Sequence, residues 1–307
     1  MIVPHPIPYQ GSKRLLANLI LTNFPPNVSR LIEPFAGSGA LSIATAIQKK
    51  ADHFWLNDTN QPLVTLWQTI LERPTQLADA YETLWRQQHG RERKFYDEVR
   101  REFNQTHQAE HLLYLLARCV KASVRYNAYG EFNQSPDNRR KGRHPTAMRR
   151  DIITTSRLLK GRTLVSCRDY RTVLTAVTAL DVVYMDPPYQ GVSTKRDARY
   201  ANQIQFNEFV EALSDLVTRQ IRFIVSYDGR RGDKVYGNGM PSHLNLYHIE
   251  LHAGRSAQST LLGRKESTYE SLYLSPALVQ ELKLDPSKKP SSHGANYKQL
   301  DLPFALI

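Results

Sequence analysis

The sequence predicts an α/β protein, in which an open and mostly parallel sheet carries helices on its faces. Several short apolar runs each end at an acidic residue, a glycine-rich turn follows the first run, and helical patterns separate the runs. Strands that alternate with helical patterns are typical of βαβ units. Open sheets of this kind bind ligands at the carboxyl ends of their strands, where these acids would lie.

The first half of the sheet is predicted between residues 29 and 58. Ser29 to Glu33 forms a short apolar strand, PFAGSGA a glycine turn, and LSIATAIQK a helix with apolar residues at helical spacing. HFWLND then predicts a second strand that ends in Asn57 and Asp58. Strand, glycine turn, helix and a strand with a terminal acid form the first half of a nucleotide-binding unit.

The pattern changes from about residue 62 to 160, where long helical patterns predict an inserted helical domain. Strand patterns return as TLVSCRD, DVVYMDPPY and IRFIVSYDG, and LNLYHIELHA with ESLYLSP suits a terminal antiparallel pair. Beyond Pro276 the polar, Ser-, Lys- and Pro-rich sequence predicts a flexible tail. We therefore expect two parts of one sheet domain, an inserted helical domain and a tail, at residues 1–68 and 156–275, 69–155, and 276–307.

The composition restricts the class of partner. The 307 residues include 41 Lys+Arg and 29 Asp+Glu, which leaves a formal net charge of +12. This excess of positive charge favours a polyanionic partner. The apolar fraction of 41% is sufficient for a core and excludes global disorder, and the length allows about two domains.

Membrane spans and metal sites are not expected. No segment approaches the roughly 18 apolar residues that a membrane span requires, and the N-terminus lacks the apolar stretch of a signal peptide, so we expect a cytoplasmic protein with no membrane partner. Cys119 and Cys167 form neither a disulfide framework nor a CxxC pair, and the histidines lack ligand spacing. We therefore expect no bound metal.

The segment Glu33 to Ala40 indicates a ligand loop. Gly37 and Gly39 stand where a strand turns into a helix, so that the backbone can approach a bound nucleotide-like ligand. Asp58 follows at the next strand end, where an acid accepts hydrogen bonds from ribose hydroxyls. The third glycine of the dinucleotide fingerprint is missing, which argues against NAD and leaves another adenosine cofactor open.

The segment Asp186-Pro187-Pro188-Tyr189 carries the sharpest chemical signal. It follows an apolar strand directly, and its prolines stiffen the loop because they lack an N–H group and fix φ. A carboxylate and a backbone carbonyl then converge into an all-acceptor pocket that suits an exocyclic NH2 group. The ring of Tyr189 offers a face on which a base can stack.

Together these motifs resemble those of the Dam-type N6-adenine DNA methyltransferases, which use S-adenosylmethionine. Tyr9 to Lys13 resembles the family's N-terminal aromatic-x-Gly-Gly-Lys element, with Ser12 in place of the second glycine. The segments Arg125-Tyr126-Asn127 and Gly130 to Asn133 are similar to its RYN-x-x-GEFN signature. The resemblance covers roughly residues 7 to 275 and implies a Rossmann-like class I methyltransferase sheet with an inserted helical target-recognition domain.

The resemblance implies roles for individual residues. Asp186, Pro187, Pro188 and Tyr189 would be the catalytic group, which localises the amino lone pair of a flipped-out adenine for methyl transfer. The S-adenosylmethionine site would comprise Tyr9, Lys13, Glu33, Phe35, Gly37, Gly39, Asp58, Asp169 and Tyr170, the last two as an acid-aromatic pair that holds the cofactor adenine. The tripeptide that begins at Ser226 departs from Dam itself and implies a restriction-modification relative, with a cognate restriction endonuclease as a further partner.

Duplex DNA is the polyanion that this resemblance implies. Basic residues crowd the positions directly behind the RYN and GEFN segments, where they would position phosphates while neighbouring side chains read bases. Two further basic loops follow in the second half of the chain. The expected DNA-binding residues are Arg125, Tyr126, Asn127, Asn133, Arg139, Arg140, Lys141, Arg143, Arg230, Arg231 and Arg264.

Two alternatives and one further partner remain open from the sequence. An acceptor pocket of this kind would also suit an adenine methyltransferase of ribosomal RNA, and a catalytically silent DNA-binding protein could use the same scaffold. Near the chain end, Gln299 to Phe304 resembles the short motif by which bacterial replication and repair proteins dock on the sliding clamp. This segment could equally pack back on its own domain.

Overall fold

The strands lie in one mixed sheet. In the computed structural model of the chain, residues 2–188, 205–231, 234–236, 239–255 and 267–285 are described. Their strands form a sheet in the order β3-β2-β1-β4-β5-β8-β7, and β6 pairs with β5 outside this order. The bounds are β1 Val28–Glu33, β2 Ala51–Asn57, β3 Thr163–Ser166, β4 Asp181–Met185, β5 Arg222–Arg231, β6 Lys234–Tyr236, β7 Tyr247–Arg255 and β8 Ser267–Leu274.

The pairing directions confirm the predicted fold class. The strands β3, β2, β1, β4 and β5 run parallel to one another, whereas β6 runs antiparallel to β5, and β8 runs antiparallel to both β5 and β7. The predicted terminal antiparallel pair is therefore β7 with β8. The sheet is mostly parallel and the protein is of the Rossmann-like α/β type. Because β1 lies between β2 and β4, the carboxyl ends of these three strands meet at one edge.

Helices connect the strands. The first helices flank the glycine turn, a helical region between β2 and β3 follows, and the last helices pack beside the second half of the sheet. Their bounds are α1 Ala17–Ile20, α2 Ala40–Ile47, α3 Gln61–Glu72, α4 Pro74–Gln87, α5 Glu92–Thr106, α6 Ala109–Arg118, α7 Pro145–Leu159, α8 Tyr170–Thr175, α9 Phe206–Thr218 and α10 Pro276–Glu281.

The helices α3 to α7 share a hydrophobic core with the sheet. Phe54 of β2 and Val182 of β4 belong to the same buried cluster as Trp67 of α3, Tyr81 of α4 and Tyr114 of α6. The helical pattern predicted for this part of the chain is thus confirmed. Its division from the sheet as a separate domain, with the bounds given above, stays a prediction.

A charged contact ties the start of β4 to the neighbouring strand β1. Arg30 donates from Nε and Nη2 to the two carboxylate oxygens of Asp181, over 2.9 and 2.8 Å. Asp181 is buried, and such a two-point contact is stronger and more directional than a single hydrogen bond. It therefore orients β4, all five residues of which are buried.

The prediction of a flexible tail from residue 276 is wrong for the first part of that tail. Ser275 caps α10 by accepting a hydrogen bond from the backbone N–H of Leu278, and Pro276 occupies the first turn, where its missing N–H costs nothing. Leu278 and Val279 are buried in the core that contains the sheet. Polar composition hid this short helix, because only two apolar side chains hold it.

Within the described ranges, no helix combines the length and the apolar character that crossing a membrane would need.

The packing of α10 predicts unequal effects of two neighbouring substitutions. Leu278→Ala should lower the free energy of unfolding by about 2–4 kcal/mol, because it removes a fully buried side chain. Gln280→Ala, on the exposed side of the same helix, should change that free energy by less than about 0.5 kcal/mol. Urea denaturation measures both values, and equal effects would contradict the packing of α10.

Candidate active site

The turn after β1 is held by backbone contacts to the next strand end and to α3. Gly37 has φ 47° and Gly39 has φ 55°, in the left-handed region that favours glycine. The N–H of Gly37 donates to Asp58 Oδ2 over 3.1 Å, and the Gly37 carbonyl accepts from Trp67 Nε1 over 2.9 Å. The turn is therefore rigid before any ligand binds.

The two glycines serve different neighbours. A Cβ atom on Gly37 would lie 3.1 Å from the Tyr9 ring, which faces a large cavity. A Cβ atom on Gly39 would lie 2.6 Å from Cζ2 of Trp67, which is buried in the core. The absence of a side chain at position 39 thus makes room for Trp67, and the expected ligand approach is seen only on the side of Gly37.

A cavity of about 1080 Å³ opens at the carboxyl ends of β1, β2 and β4. It joins the glycine turn, the residues that follow β4, and the segment from Val124 to Asn133. A volume of this order accommodates a nucleotide-sized ligand together with a second group. The cavity brings together most of the predicted site residues, namely Tyr9, Lys13, Glu33, Phe35, Gly37, Asp58, Arg125, Tyr126, Asn127, Asn133, Asp186, Pro187 and Pro188.

The acid-aromatic pair stands behind the cavity rather than in its wall. The Tyr170 ring is buried and lies 5.2 Å from the ring of Phe35, which does line the cavity. Asp169 caps α8 and forms an ion pair with Arg171 over 2.9 Å. The hydrogen bonds from Arg171 hold the pKa of Asp169 below its usual value. A direct contact of this pair with a cofactor stays a prediction.

Lys13 forms an ion pair with the predicted catalytic carboxylate of Asp186. Its Nζ is 2.9 Å from Asp186 Oδ1 and 3.3 Å from Glu270 Oε1, and the lysine side chain is 9% exposed. Burial by itself lowers the pKa of a lysine, but the charges of Asp186 and Glu270 hold the pKa of Lys13 well above its usual value. Lys13 is therefore an ammonium at neutral pH. It contacts Asp186, the residue that follows β4.

Two further acids stand at neighbouring strand ends. Glu33 is 3% exposed and its Oε1 accepts from the backbone N–H of Ser42 in α2 over 2.8 Å. Burial raises the pKa of Glu33 to about 7, although the contacts with Ser42 oppose this shift. Burial also raises the pKa of Asp58, against hydrogen bonds from Asn60 and Gly37. The charge of the cavity wall therefore varies with pH near neutrality.

The segment Arg125 to Asn133 folds into a tight hairpin beside the cavity. The backbone N–H of Asn133 donates to the Arg125 carbonyl over 3.0 Å, and the N–H of Asn127 donates to the Glu131 carbonyl over 2.9 Å. The Asn127 Oδ1 atom accepts from the N–H groups of Tyr129 and Glu131, each over 2.9 Å. The amide oxygen of Asn127 therefore shapes the turn, and Arg125, Asn127 and Asn133 all line the cavity.

Tyr126 connects this hairpin to the nucleotide-binding half. Its hydroxyl donates to Asn60 Oδ1 over 3.1 Å, two residues beyond Asp58, and its ring packs edge-on against Phe132 at 6.0 Å. The sequence predicts Tyr126 as a DNA-binding residue, and the structure shows that its hydroxyl donates to Asn60 in the cavity wall.

The residues of the basic cluster behind the hairpin are paired with acids, some close in the sequence and one distant. Arg139 and Arg140 lie near Asp137, at 3.1 and 3.6 Å, and Lys141 lies 3.3 Å from Glu92 of α5. Arg143 pairs with Asp151 of α7. The positive charge that the sequence shows as uninterrupted is thus partly compensated, although Arg139 and Arg140 remain 86% and 70% exposed.

Several predicted residues fall outside the description. Tyr189, Arg264 and the segment Gln299 to Phe304 lie outside the described residues. The backbones of Arg230 and Arg231 belong to β5, where they pair with Val235 and Lys234 of β6, but their side chains are not described.

The sequence analysis did not identify two residues, Asn57 and Glu270, that contact the loops and side chains of the site. Asn57 is fully buried, and its Nδ2 donates to the carbonyls of Pro34 and Arg168 over 3.0 and 2.9 Å. It thereby connects the loops that follow β1 and β3. Glu270, the second partner of Lys13, carried one faint signal, since it is an acid within the apolar strand pattern ESLYL.

Comparison with known proteins gives a consistent result. The family model described as D12 class N6 adenine-specific DNA methyltransferase matches residues 9–250. The chain is 28% identical over 232 residues to the DNA N-6-adenine-methyltransferase of Escherichia phage P1, which covers 73% of this chain and 28% of that protein. It is 31% identical over 189 residues to the DNA adenine methylase of Serratia marcescens, which covers 60% of this chain and 66% of that protein.

A third relative is matched over a larger share of its own length. The type II methyltransferase M.MjaIII of Methanocaldococcus jannaschii is 26% identical over 233 residues, and the match covers 67% of this chain and 78% of that protein. The chain thus spans less than a third of the phage protein and about two thirds or more of the other two relatives.

The close approach of Trp67 to Gly39 predicts that Gly39→Ala lowers the free energy of unfolding by more than backbone strain alone would. Gly39→Ala adds a Cβ atom that meets Trp67 and should lower the free energy of unfolding by about 1–3 kcal/mol more than a glycine substitution without a clash. Gly161→Ala is the matched control, because Gly161 has φ 80° and nothing within 4 Å of the added atom.

Thermal or urea unfolding of the two variants measures the difference. The control should lose only the roughly 1–2 kcal/mol of left-handed backbone strain. Equal losses in the two variants would contradict the role of Trp67.

Proposed function

Because the chain belongs to the D12 class of N6 adenine-specific DNA methyltransferases, we propose that it transfers a methyl group to the exocyclic N6 of adenine in double-stranded DNA. The observation that carries this proposal is the position of Asp186. Its carboxylate stands at the end of the buried strand β4, in the wall of a cavity that also reaches the glycine turn and the Arg125–Asn133 hairpin. A methyl donor, an amine acceptor and DNA-facing residues would thus share one cavity.

The chemistry of adenine explains why such an acceptor pocket is needed. The lone pair of the exocyclic nitrogen is delocalised into the ring, so that the amine is a poor nucleophile. The Asp186 carboxylate and the Pro187 carbonyl would accept hydrogen bonds from the NH2 group and localise the lone pair on nitrogen. Pro187 and Pro188 have no N–H group, and therefore they add no donor that would compete for Asp186.

The ammonium of Lys13 would keep Asp186 in its ionised form. At 2.9 Å it favours the carboxylate over the neutral acid, and only the carboxylate accepts hydrogen bonds with both oxygens. As the N6 nitrogen gains a bond it also gains positive charge, and the carboxylate would stabilise this charge and accept the proton that N6 has to lose. Fixed charges in a partly buried site stabilise developing charge without reorganisation.

We propose S-adenosylmethionine as the cofactor. When bound, it supplies an electrophilic methyl group on a sulfonium. The residues of the cavity fit this group chemically, because Glu33 and Asp58 offer carboxylates to its cationic and hydroxyl groups, and Phe35 and Tyr9 offer aromatic faces. Asp169 and Tyr170 would act on the cofactor indirectly, because the Tyr170 ring packs against the ring of Phe35.

Duplex DNA would be bound along the hairpin and the basic cluster. An adenine amine inside a duplex is inaccessible to such a pocket, so the base would have to be flipped out and stacked, with Tyr189 as the proposed stacking partner. The side chains of Arg139, Arg140 and Lys141 are themselves exposed and can turn towards phosphates, whereas Asp137, the partner of the two arginines, is buried. Arg125 and Asn133 are the stronger candidates for base reading, whereas Asn127 shapes the turn.

Two further partners are proposed from the sequence and the relatives. The segment Gln299 to Phe304 would dock on a bacterial sliding clamp, with an amide at one end and apolar side chains entering a pocket. A cognate restriction endonuclease would belong to the same system, a proposal supported by the name of the type II relative.

The central prediction concerns Asp186. Asp186→Asn keeps the shape of the side chain but replaces one acceptor oxygen by a donor, and should lower the methylation rate roughly 100- to 1000-fold. The assay is transfer of labelled methyl from S-adenosylmethionine to unmethylated plasmid DNA, with sequencing that maps the modified bases and hence the recognition site. DNA affinity, measured by fluorescence anisotropy, should stay within about threefold, because Asp186 contributes no positive charge to phosphate binding.

Asp215→Asn serves as the control, since Asp215 is an exposed partner of Arg219 on α9. It should leave the methylation rate unchanged. Turnover at the normal rate in the Asp186→Asn protein would contradict the proposed chemistry, and methylation of ribosomal RNA in place of DNA would contradict the proposed substrate.

A second prediction concerns salt. If the basic cluster contacts phosphates, removal of Arg139, Arg140 or Lys141 by substitution with Gln should reduce the slope of log affinity against log salt by about 0.9 for each contact. Arg157→Gln is the control, because Arg157 is exposed near the other end of α7, about 20 Å along the helix axis from the cluster. An equal change of slope in the control would mean that the cluster holds no special position toward DNA.

A further inference from the structure

The Lys13 ammonium has a second carboxylate partner that the proposed mechanism does not use. Its Nζ lies between Asp186 Oδ1 at 2.9 Å and Glu270 Oε1 at 3.3 Å. All three side chains are largely buried, with 9%, 21% and 15% exposed for Lys13, Asp186 and Glu270. Among the described residues that line the cavity, Lys13 and Asp186 are present and Glu270 is not. Glu270 therefore contacts the lysine without lining the cavity itself.

The sheet fixes the position of Glu270. Its strand β8 pairs with β5, which in turn pairs with β4, the strand that leads to Asp186. The register of β5 against β8 shifts between Ser226 and Gly229, and such an irregularity redirects side chains. Ser226 is fully buried, and its hydroxyl donates to Glu270 Oε1 over 2.5 Å. One carboxylate oxygen thus receives both the hydroxyl of Ser226 and the ammonium of Lys13.

The charge of Glu270 affects how strongly Lys13 attracts Asp186. An ammonium with Asp186 as its single partner would be drawn onto the carboxylate that has to accept from the substrate amine, and would weaken it as an acceptor. A second carboxylate at 3.3 Å shares the attraction and leaves the group of three with a net charge of −1. Asp186 then keeps both a fixed position and much of its negative charge.

From these contacts we propose that Glu270 is a positioning residue, which acts on Asp186 through Lys13 and is itself held by Ser226. The inference rests on the proposed function, because it assumes that Asp186 accepts from the target amine. Glu270 touches neither substrate nor cofactor in this proposal. It sets how strongly Lys13 competes with the substrate for the Asp186 carboxylate.

Removal of the charge at position 270 tests the proposal. Glu270→Gln should lower the single-turnover rate of methyl transfer roughly tenfold at saturating S-adenosylmethionine and unmethylated plasmid DNA, the size expected for coupling within a charged network. The dissociation constants of both, measured by calorimetry and anisotropy, should change less than about threefold, because Glu270 lies outside the cavity wall. Glu270→Asp, which keeps the charge at a longer distance, should recover most of the rate.

Two further variants complete the experiment. Glu250→Gln is the matched control, since it removes the same charge from the adjacent strand β7 without a contact to Lys13, and it should leave the rate unchanged. Ser226→Ala keeps every charge and removes only the hydroxyl that orients Glu270, so it should lower the rate by about threefold, and by nothing further in the Glu270→Gln protein.

Contrary outcomes are distinct from a failure of the proposed function. A normal rate in Glu270→Gln, or an equal loss in Glu270→Gln and Glu270→Asp, would overturn the positioning role of the charge. Additive losses from Ser226→Ala and Glu270→Gln would overturn the role of Ser226. Failure of the proposed function would instead be seen in the unmodified protein, as an absence of methyl transfer to adenine.

Discussion

The parallel pairing of β1 with both β2 and β4 is the constraint on which the site depends. Glu33 ends β1, Asp58 follows β2 and Asp186 follows β4, and the pairing places all three at one edge of the sheet. The carboxyl-terminal residues of the three strands are buried, and the two-point contact of Arg30 with Asp181 aligns β4 with β1. The cavity is a consequence of this alignment, since its walls are the loops that these strands release.

Acidic groups that are brought together in this way repel one another and resist burial. Different contacts stabilise the acid at each strand end. Glu33 is stabilised by the N–H of Ser42 yet has its pKa raised to about 7, Asp58 accepts from Gly37 and Asn60, and Asp186 is paired with Lys13. Only the last of these acids has an ammonium beside it, within the described part of the cavity, and it is the acid whose ionised form the proposed chemistry requires.

The same cavity connects the two halves of the proposed reaction. Tyr126 belongs to the hairpin that carries Arg125 and Asn133, and its hydroxyl donates to Asn60, whose backbone N–H donates to Asp58. Trp67 holds the glycine turn from α3, the first helix after β2. The helical region is therefore joined to the sheet and to the glycine turn by polar contacts as well as by a common hydrophobic core.

The sequence by itself determined the strands other than β6, the glycine turn, the proline loop after β4 and the family, because each of these depends on residues that are neighbours along the chain. The strand β6 lies where the sequence predicts a basic loop. Apolar runs with a terminal acid predict a strand and its carboxyl end without knowledge of the rest of the fold. The flexible tail was placed too early, since two apolar residues, Leu278 and Val279, are too few to give a periodic signal.

Only the tertiary structure decided which groups meet. Lys13 and Asp186 are 173 positions apart, and Ser226 and Glu270 are 44 apart, so no local pattern could join them. The same holds for Gly39 against Trp67 and for Lys141 against Glu92. Residue types reveal what a side chain can do, but its partner depends on the packing of distant segments, and the partner sets its charge, its position and hence its role.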